Sequence, residues 1–166
     1  HLVNVSNGRL RNVIEKDDDT KTYQWFVSNP INNYGVNINI GDYVNFSEKY
    51  NGEKGILDID YYVLRDNLEK AKEQFKQVPM MLDAFEHWFG PYPFYEDSFK
   101  LVEVPYLGME HQSSITYGNK YMQGYLGRDL SRTGWGLKFD YIIIHESGHE
   151  WFANNITYKD IADMWV

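Results

Sequence analysis

An α+β fold is predicted, with strands concentrated in the first 65 or so residues and helices after them. Residues 23–27 and 36–40 are short runs of β-forming residues, and the second alternates apolar and polar side chains with period two. Asn51-Gly52 is a typical hairpin turn, and it is predicted to join strands over residues 43–50 and 56–64. The amino-terminal part is therefore interpreted as β-rich.

The period of the apolar residues changes from Asn67 onward. From Leu68 to Phe89 they recur at helical spacing, and Gly90 is a plausible helix stop. Pro79 lies inside this run and is expected to kink the helix or split it in two. The change of character near residues 65–68 is the predicted domain boundary, giving a β-rich part over 1–66 and a second part over 67–166.

The second part is predicted to contain two more strands, over residues 99–104 and 113–117. Residues 118–136 hold five glycines and are predicted to form a long surface loop. A helix is expected over residues 139–156, with a last turn or short helix near Lys159.

Composition excludes several classes of function. The net charge is −8, which argues against a nucleic-acid partner because phosphate binding relies on clustered Lys and Arg. There is no cysteine, so thiolate ligands, disulfides and cysteine nucleophiles are excluded. No stretch approaches the ~20 apolar residues of a membrane span. The chain begins at His1 without an initiator Met, and both ends are interpreted as cuts in a longer protein. Compartment and oligomeric state are not indicated.

His145-Glu146-Ser147-Gly148-His149 is the most informative segment, because it is a zinc-binding His-Glu-x-x-His signature. Histidines at i and i+4 share one helix face, so both rings can bind one zinc ion. Glu146 is predicted to be the general base acting on zinc-bound water. The motif also occurs by chance, and in that case both histidines are ordinary helix residues.

The neighbourhood of the motif supports the metal interpretation. The apolar run 142–144 is expected to carry the histidines into the interior. Gly148, a poor helix former, indicates close packing or a need for space at that turn. Glu150 and Asp163 are candidates for orienting a histidine through its free ring nitrogen, but a solvated carboxylate or a helix cap is preferred for both.

A second motif lies upstream of the helix, in Gly108-Met109-Glu110-His111-Gln112. Together with His-Glu-x-x-His-x-Trp-Phe it resembles the zinc aminopeptidases typified by aminopeptidase N, which are gluzincins with leukotriene hydrolase as a relative. The flanking residues 89–93 and 104–105 resemble that family as well, and residues 163–166 resemble the segment that precedes its third zinc ligand. The resemblance covers roughly residues 60–166.

The resemblance implies a role for each motif residue. His145 and His149 match zinc ligands, and Glu146 matches the general base. Glu110 matches the glutamate that binds the α-amino group of peptides with a free N-terminus, while Gly108 and Met109 match the adjoining segment along which the peptide lies.

The resemblance also implies a fold and a cofactor. Residues 1–66 match the end of an N-terminal β-domain, and 67–166 match the first part of a thermolysin-like catalytic domain. The third ligand, a glutamate, is expected two positions beyond Val166, and the oxyanion tyrosine further downstream. One zinc ion is expected in the intact metallo-aminopeptidase, with weak or absent binding in this fragment, which is expected to be inactive.

Two residues depart from the family pattern. Leu107 stands where the family has Gly, and His111 where it has Asn. His111 could alter amine binding, substrate preference or neither, and a hydrogen-bonding loop histidine is preferred over a fourth metal ligand. Two alternatives remain open: a zinc endopeptidase or other metal-dependent hydrolase, and a non-catalytic binding protein that retains the motif.

Overall fold

The computed structural model describes residues 1–163 and confirms a mixed α/β fold. Its strands are β1 (Val3–Ser6), β2 (Arg9–Glu15), β3 (Lys21–Phe26), β4 (Ile38–Gly41), β5 (Tyr43–Gly52), β6 (Gly55–Leu64), β7 (Phe99–Glu103), β8 (Gly108–Met109) and β9 (Ile115–Tyr117). Its helices are α1 (Leu68–Gln74), α2 (Gln77–Phe89) and α3 (Tyr141–Gly148), with 3₁₀ turns at Asn33–Gly35, Arg65–Asn67, Tyr95–Asp97, Trp135–Leu137 and Ile161–Asp163. No helix within residues 1–163 is long and apolar enough to cross a membrane.

The largest sheet has the strand order β5-β6-β7-β9-β8. The β5–β6 hairpin is antiparallel, β7 runs parallel to both β6 and β9, and β8 is the antiparallel edge strand. Two smaller sheets, β1–β4 and β2–β3, lie in the amino-terminal part. The five-stranded sheet contains strands on both sides of residue 66. The domain boundary placed there stays a prediction, and the pairing of β5 with β6 and of β6 with β7 favours a boundary before Tyr43.

The core lies between this sheet and the helices. Alternate residues of β6, Leu57, Ile59, Tyr61 and Val63, are buried against α1 and α2, as the period-two pattern of a half-covered strand requires. The predicted hairpin is confirmed, but its turn is at Glu53 and Lys54, between Gly52 and Gly55, rather than at Asn51-Gly52.

The predicted helical run is split in two, as Pro79 suggested, but the break is not at the proline. The helices separate at Phe75 and Lys76, which places Pro79 in the first turn of α2, where a missing N–H removes no helical hydrogen bond. Gly90 ends α2 with φ +87°, a conformation that favours glycine.

Helix α3 is shorter than the predicted 139–156. It begins after Asp140 and ends at Gly148, and His149 keeps helical dihedrals as the cap residue. Beyond it, the N–H groups of residues 154–156 donate to carbonyls five residues back, and Ala153 has φ +114°. The apolar residues Trp151 and Phe152 belong to this irregular turn, so their spacing falsely extended the helical pattern.

Asp140 fixes the start of α3. Its Oδ1 atom accepts hydrogen bonds from the N–H groups of Ile142 and Ile143, at 3.0 and 3.3 Å, and from the Asn119 amide. Its Oδ2 atom accepts from Gln74 and from the Tyr117 hydroxyl, at 2.7 and 2.6 Å. This fully buried carboxylate therefore connects α3 to α1, to β9 and to the loop after β9.

Replacing Asp140 with Ala is expected to lower the free energy of unfolding by at least about 2 kcal/mol, since a helix cap is lost and buried donors lose their acceptor. Urea denaturation measures this, with Asp17→Ala in an exposed turn as the matched control. An equal effect of both substitutions would contradict the capping role.

Lys100 of β7 connects the sheet to the amino-terminal part. Its fully buried ammonium donates to the Gly8 carbonyl and to Ser98 Oγ, and lies 5.5 Å from the Trp25 ring centroid. Burial lowers the pKa of Lys100 to about 8, with Arg9 adding to the effect, while Asp60, Glu150 and Asp97 oppose it.

A pH dependence follows for Lys100. The pKa of Lys100 in the folded protein lies below its unfolded value of about 10.4, so between pH 8 and that value the folded protein binds fewer protons than the unfolded chain. The free energy of unfolding therefore falls as the pH is lowered from about 10.4 toward 8. The unfolding free energy of the wild type, relative to Lys100→Met, is expected to rise between about pH 8 and pH 10. Urea denaturation across this range tests the prediction, with the exposed Lys49→Met as control. A constant difference would contradict it.

Candidate metal and substrate site

The two motif histidines meet at the end of α3. Their ring centroids are 4.8 Å apart, and one ligand atom from each of His145, Glu146 and His149 lies within 4.8 Å of the others. Among the described residues, no other group of three or more His, Cys, Asp or Glu side chains is arranged to hold a metal ion. His111 does not belong to this group.

Contacts with Phe152 and Tyr141 orient the two histidine rings. His149 Nδ1 lies 3.1 Å from the Phe152 carbonyl, and because a carbonyl only accepts, Nδ1 carries the proton and the Nε2 lone pair is free for a metal. His145 stacks on the Tyr141 ring at 5.2 Å, with Nδ1 3.4 Å from the Tyr141 hydroxyl. A main-chain carbonyl and a tyrosine, rather than Glu150 or Asp163, therefore contact the ring nitrogens.

The histidines are not carried into the interior, contrary to the expectation from the apolar run 142–144. Ile142, Ile143, Glu146 and Ser147 form the buried side of α3, whereas His145 is exposed and His149 is half-buried. An open position of this kind suits a metal that must meet a substrate.

The charges around the cluster favour a bound cation. Burial lowers the pKa of His145, and His149 adds to this, so the ring is held in the neutral form that binds metals. Burial raises the pKa of Glu146 to about 7, and the nearby charge of Glu110 raises it further. A carboxyl group with a pKa near 7 is suited to general-base chemistry.

The second motif lies directly beside this cluster. Gly108 and Met109 form β8, the edge of the five-stranded sheet, and Glu110 follows them. A Cβ atom at Gly108 would lie 2.9 Å from both Glu146 Oε1 and Ile142 Cγ2, so glycine allows the edge strand to pack against the general-base candidate. The electrostatic influence of Glu110 on His145 and Glu146 shows the same closeness.

Glu110 is held from two directions. Its Oε1 atom accepts a hydrogen bond of 2.8 Å from the hydroxyl of Tyr34, a residue of the β-rich part. Its main-chain carbonyl accepts from Asn154 Nδ2, also at 2.8 Å, in the turn after α3. Neither contact was foreseen from the sequence, since neither residue carries a motif.

Glu150 is neither a solvated carboxylate nor a helix cap. It is fully buried and accepts hydrogen bonds from the Tyr92 hydroxyl at 2.7 Å, the Ser113 N–H at 3.1 and 3.2 Å, and Asn154 Nδ2 at 3.2 Å. Burial raises its pKa to about 7, and the three donors oppose this. Asp163, by contrast, is exposed, as expected for a solvated carboxylate. Residues 164–166 of the predicted family segment lie outside the described residues.

The amino-terminal part also contacts this loop. The buried Asn7 donates to the Gln112 carbonyl at 2.7 Å, and the Gly8 N–H donates to Ser113 Oγ at 2.8 Å. Gln112 in turn donates to the Pro30 carbonyl at 3.0 Å. The segment after Glu110 is therefore fixed between α3 and the β-rich part.

Comparison with known proteins supports the same interpretation. The chain is 24% identical over 158 residues to "Probable aminopeptidase 1" of Sulfurisphaera tokodaii and 23% identical to "Leucyl aminopeptidase" of Saccharolobus solfataricus. The aligned residues make up 91% and 93% of this chain but 19% of each relative. The chain thus spans about a fifth of the length of these curated relatives. No protein-family model matches it.

A crystal structure of an M1 zinc metallopeptidase from Deinococcus radiodurans superposes with a TM-score of 0.77 at 18% identity, covering 99% of this chain and 34% of that one. The chain has the fold of the M1 zinc metallopeptidases. The predicted resemblance to zinc aminopeptidases is confirmed at this level. A mutant of the same Deinococcus enzyme, crystallised with a Tyr-Ser-Ala substrate, superposes with a TM-score of 0.75 at 17% identity, again covering 99% of this chain and 34% of that one.

The two motif glycines are expected to respond oppositely to alanine. A Cβ at Gly148 would meet Phe85 at 3.7 Å, an ordinary contact, so the close packing expected there is absent from the described surroundings. Gly148→Ala should therefore raise the free energy of unfolding by about 0.5–1 kcal/mol.

Gly108→Ala should lower it by about 1–3 kcal/mol, because the added methyl group displaces Glu146 or Ile142. Urea denaturation of both variants makes each the control for the other. Stabilisation by Gly108→Ala would contradict the packing of β8 against α3.

Proposed function

We propose that this chain carries the zinc and substrate-amine residues of a metallo-aminopeptidase, which removes N-terminal residues from peptides. The observation that carries the proposal is the position of Glu110, at the end of an edge strand and beside the His145, Glu146 and His149 cluster. A carboxylate here can bind a peptide's α-ammonium group near the metal-binding residues. The fold shared with M1 zinc metallopeptidases supports this proposal.

The donor set fits zinc, because imidazole nitrogens at close range and a free Nε2 on His149 suit that ion. When bound, zinc supplies a Lewis acid that polarises the scissile carbonyl and lowers the pKa of water to about 7. Glu146 accepts a proton from the attacking water and returns it to the leaving amine. Glu110 orients the substrate, and the open edge of β8 offers backbone groups for an extended peptide.

Residues 1–163 supply two histidines and Glu146 to this cluster, whereas a catalytic zinc ion usually takes three protein ligands. We therefore propose that the 166-residue chain alone binds zinc weakly and is inactive. The one-zinc site and the activity belong to the full-length protein.

The test compares hydrolysis of a free-amine peptide with that of its N-acetylated twin by the full-length protein, with zinc content measured alongside. One zinc ion per chain and cleavage of the free-amine peptide alone are expected. Glu146→Ala should lower kcat by about 10²–10⁴ through loss of the general base, and Glu110→Ala should chiefly raise KM. Glu69→Ala, at an exposed position of α1, is the control.

Each other outcome favours a named alternative. Equal cleavage of the two peptides would remove the amine role of Glu110 and favour an endopeptidase or another metal-dependent hydrolase. Absence of both zinc and cleavage would favour a binding protein that retains the motif.

A further inference from the structure

Tyr34 is a residue of the β-rich part that contacts the proposed site through Glu110. It lies in the 3₁₀ turn Asn33–Gly35, between β3 and β4. The turn is anchored because Gly35 donates to Asn32 Oδ1 at 2.8 Å and its carbonyl accepts from the buried Asn7, also at 2.8 Å. The position of Tyr34 is thus fixed by the fold, although 57% of the residue is exposed.

The hydroxyl of Tyr34 faces the carboxylates of the site. It donates to Glu110 Oε1 at 2.8 Å. Burial of the hydroxyl raises the pKa of Tyr34 to about 12, and Glu110 and then Glu146 add to the effect, so the phenol keeps its proton near neutral pH and remains a donor.

His111 supports the same arrangement. Its ring centroid lies 6.3 Å from the centroid of the Tyr34 ring. His111, which stands where the zinc aminopeptidase pattern has Asn, therefore lies beside the turn that carries Tyr34.

Glu110 and Tyr34 each keep an oxygen that can accept a further hydrogen bond. Glu110 Oε1 is engaged by Tyr34, whereas Oε2 has no hydrogen bond from any residue in the described part of the chain. The Tyr34 oxygen, having donated its proton, retains lone pairs that can accept. An α-ammonium group carries three N–H donors, so it can use both atoms at once.

We propose that Tyr34 is a second amine-binding residue: its hydroxyl donates to Glu110 Oε1 and accepts one N–H of the substrate's α-ammonium group, while Oε2 of Glu110 accepts another. This inference rests on the proposed aminopeptidase function and adds a specificity determinant from the β-rich part. N-acetylation removes the positive charge and leaves one N–H, so an acetylated peptide cannot make both contacts at once and loses the ion pair with Glu110.

The test uses the full-length, zinc-loaded protein with Tyr34→Phe, which removes the hydroxyl and keeps the ring. For a free-amine peptide we expect KM to rise about 10- to 100-fold with kcat changed less than about threefold, because the lost contact is made to a charged group in the bound substrate. Tyr23→Phe is the matched control, since it removes a tyrosine hydroxyl of the same β-rich part that donates to the Leu2 carbonyl.

A binding readout accompanies the kinetics. Leucinamide and N-acetyl-leucinamide are titrated calorimetrically into Glu146→Ala, alone and combined with Tyr34→Phe or Tyr23→Phe, because the active enzyme would hydrolyse leucinamide. Leucinamide should bind the form with Tyr34→Phe about 10- to 100-fold more weakly than Glu146→Ala alone, with zinc content unchanged and Tyr23→Phe without effect.

The outcomes separate the two proposals. A wild type that cleaves free and acetylated peptides equally overturns the aminopeptidase proposal, whatever Tyr34→Phe does. A wild type that requires the free amine, together with a KM and a leucinamide affinity that Tyr34→Phe leaves unchanged, overturns the role of Tyr34 alone. Loss of zinc, or a fall in kcat with KM unchanged, also overturns it, because the residue would then act on the metal site or the fold.

Discussion

The buried carboxylate of Glu150 is the interaction on which the site depends. An ionised carboxyl group is costly to bury unless donors surround it, and the fold supplies them from Tyr92, Ser113 and Asn154. These three residues belong to the loop after α2, the loop after β8 and the turn after α3. Because Glu150 directly follows His149, these hydrogen bonds also fix the end of α3 that carries the candidate metal ligands relative to the loop that carries Glu110.

The β-rich part contributes to the site through contacts of the same kind. Asn7, Gly8 and Lys100 connect the β1–β2 turn to the loop after Glu110 and to β7, and Tyr34 reaches Glu110 itself. The polar atoms involved are mostly buried, so separating the two parts would leave donors and acceptors without partners. The geometry of Glu110 is therefore a property of both parts of the chain.

Features encoded by local spacing were predictable, and features that depend on distant partners were not. The i, i+4 histidines, the β5–β6 hairpin and the helix stop at Gly90 follow from residues close in sequence. The end of α3 at Gly148, the burial of Glu150 and the contact of Tyr34 with Glu110, 76 residues away, follow from tertiary packing. Asp140 is an intermediate case, since an Asp directly before an apolar run is a recognisable cap signal, but its other three partners are distant.

The electrostatics of the site are those of a receptor for cations. Burial raises the pKa of Glu146, and the nearby charge of Glu110 raises it further. Lowering of the His145 pKa keeps that ring neutral, so it does not compensate the two carboxylates. A metal ion near Glu146 or an ammonium group near Glu110 would relieve the repulsion between these two carboxylates. Each cation would keep its neighbouring carboxylate ionised, and that negative charge would favour binding of the other cation. In the proposed function, this shared negative charge links substrate-amine recognition to metal binding.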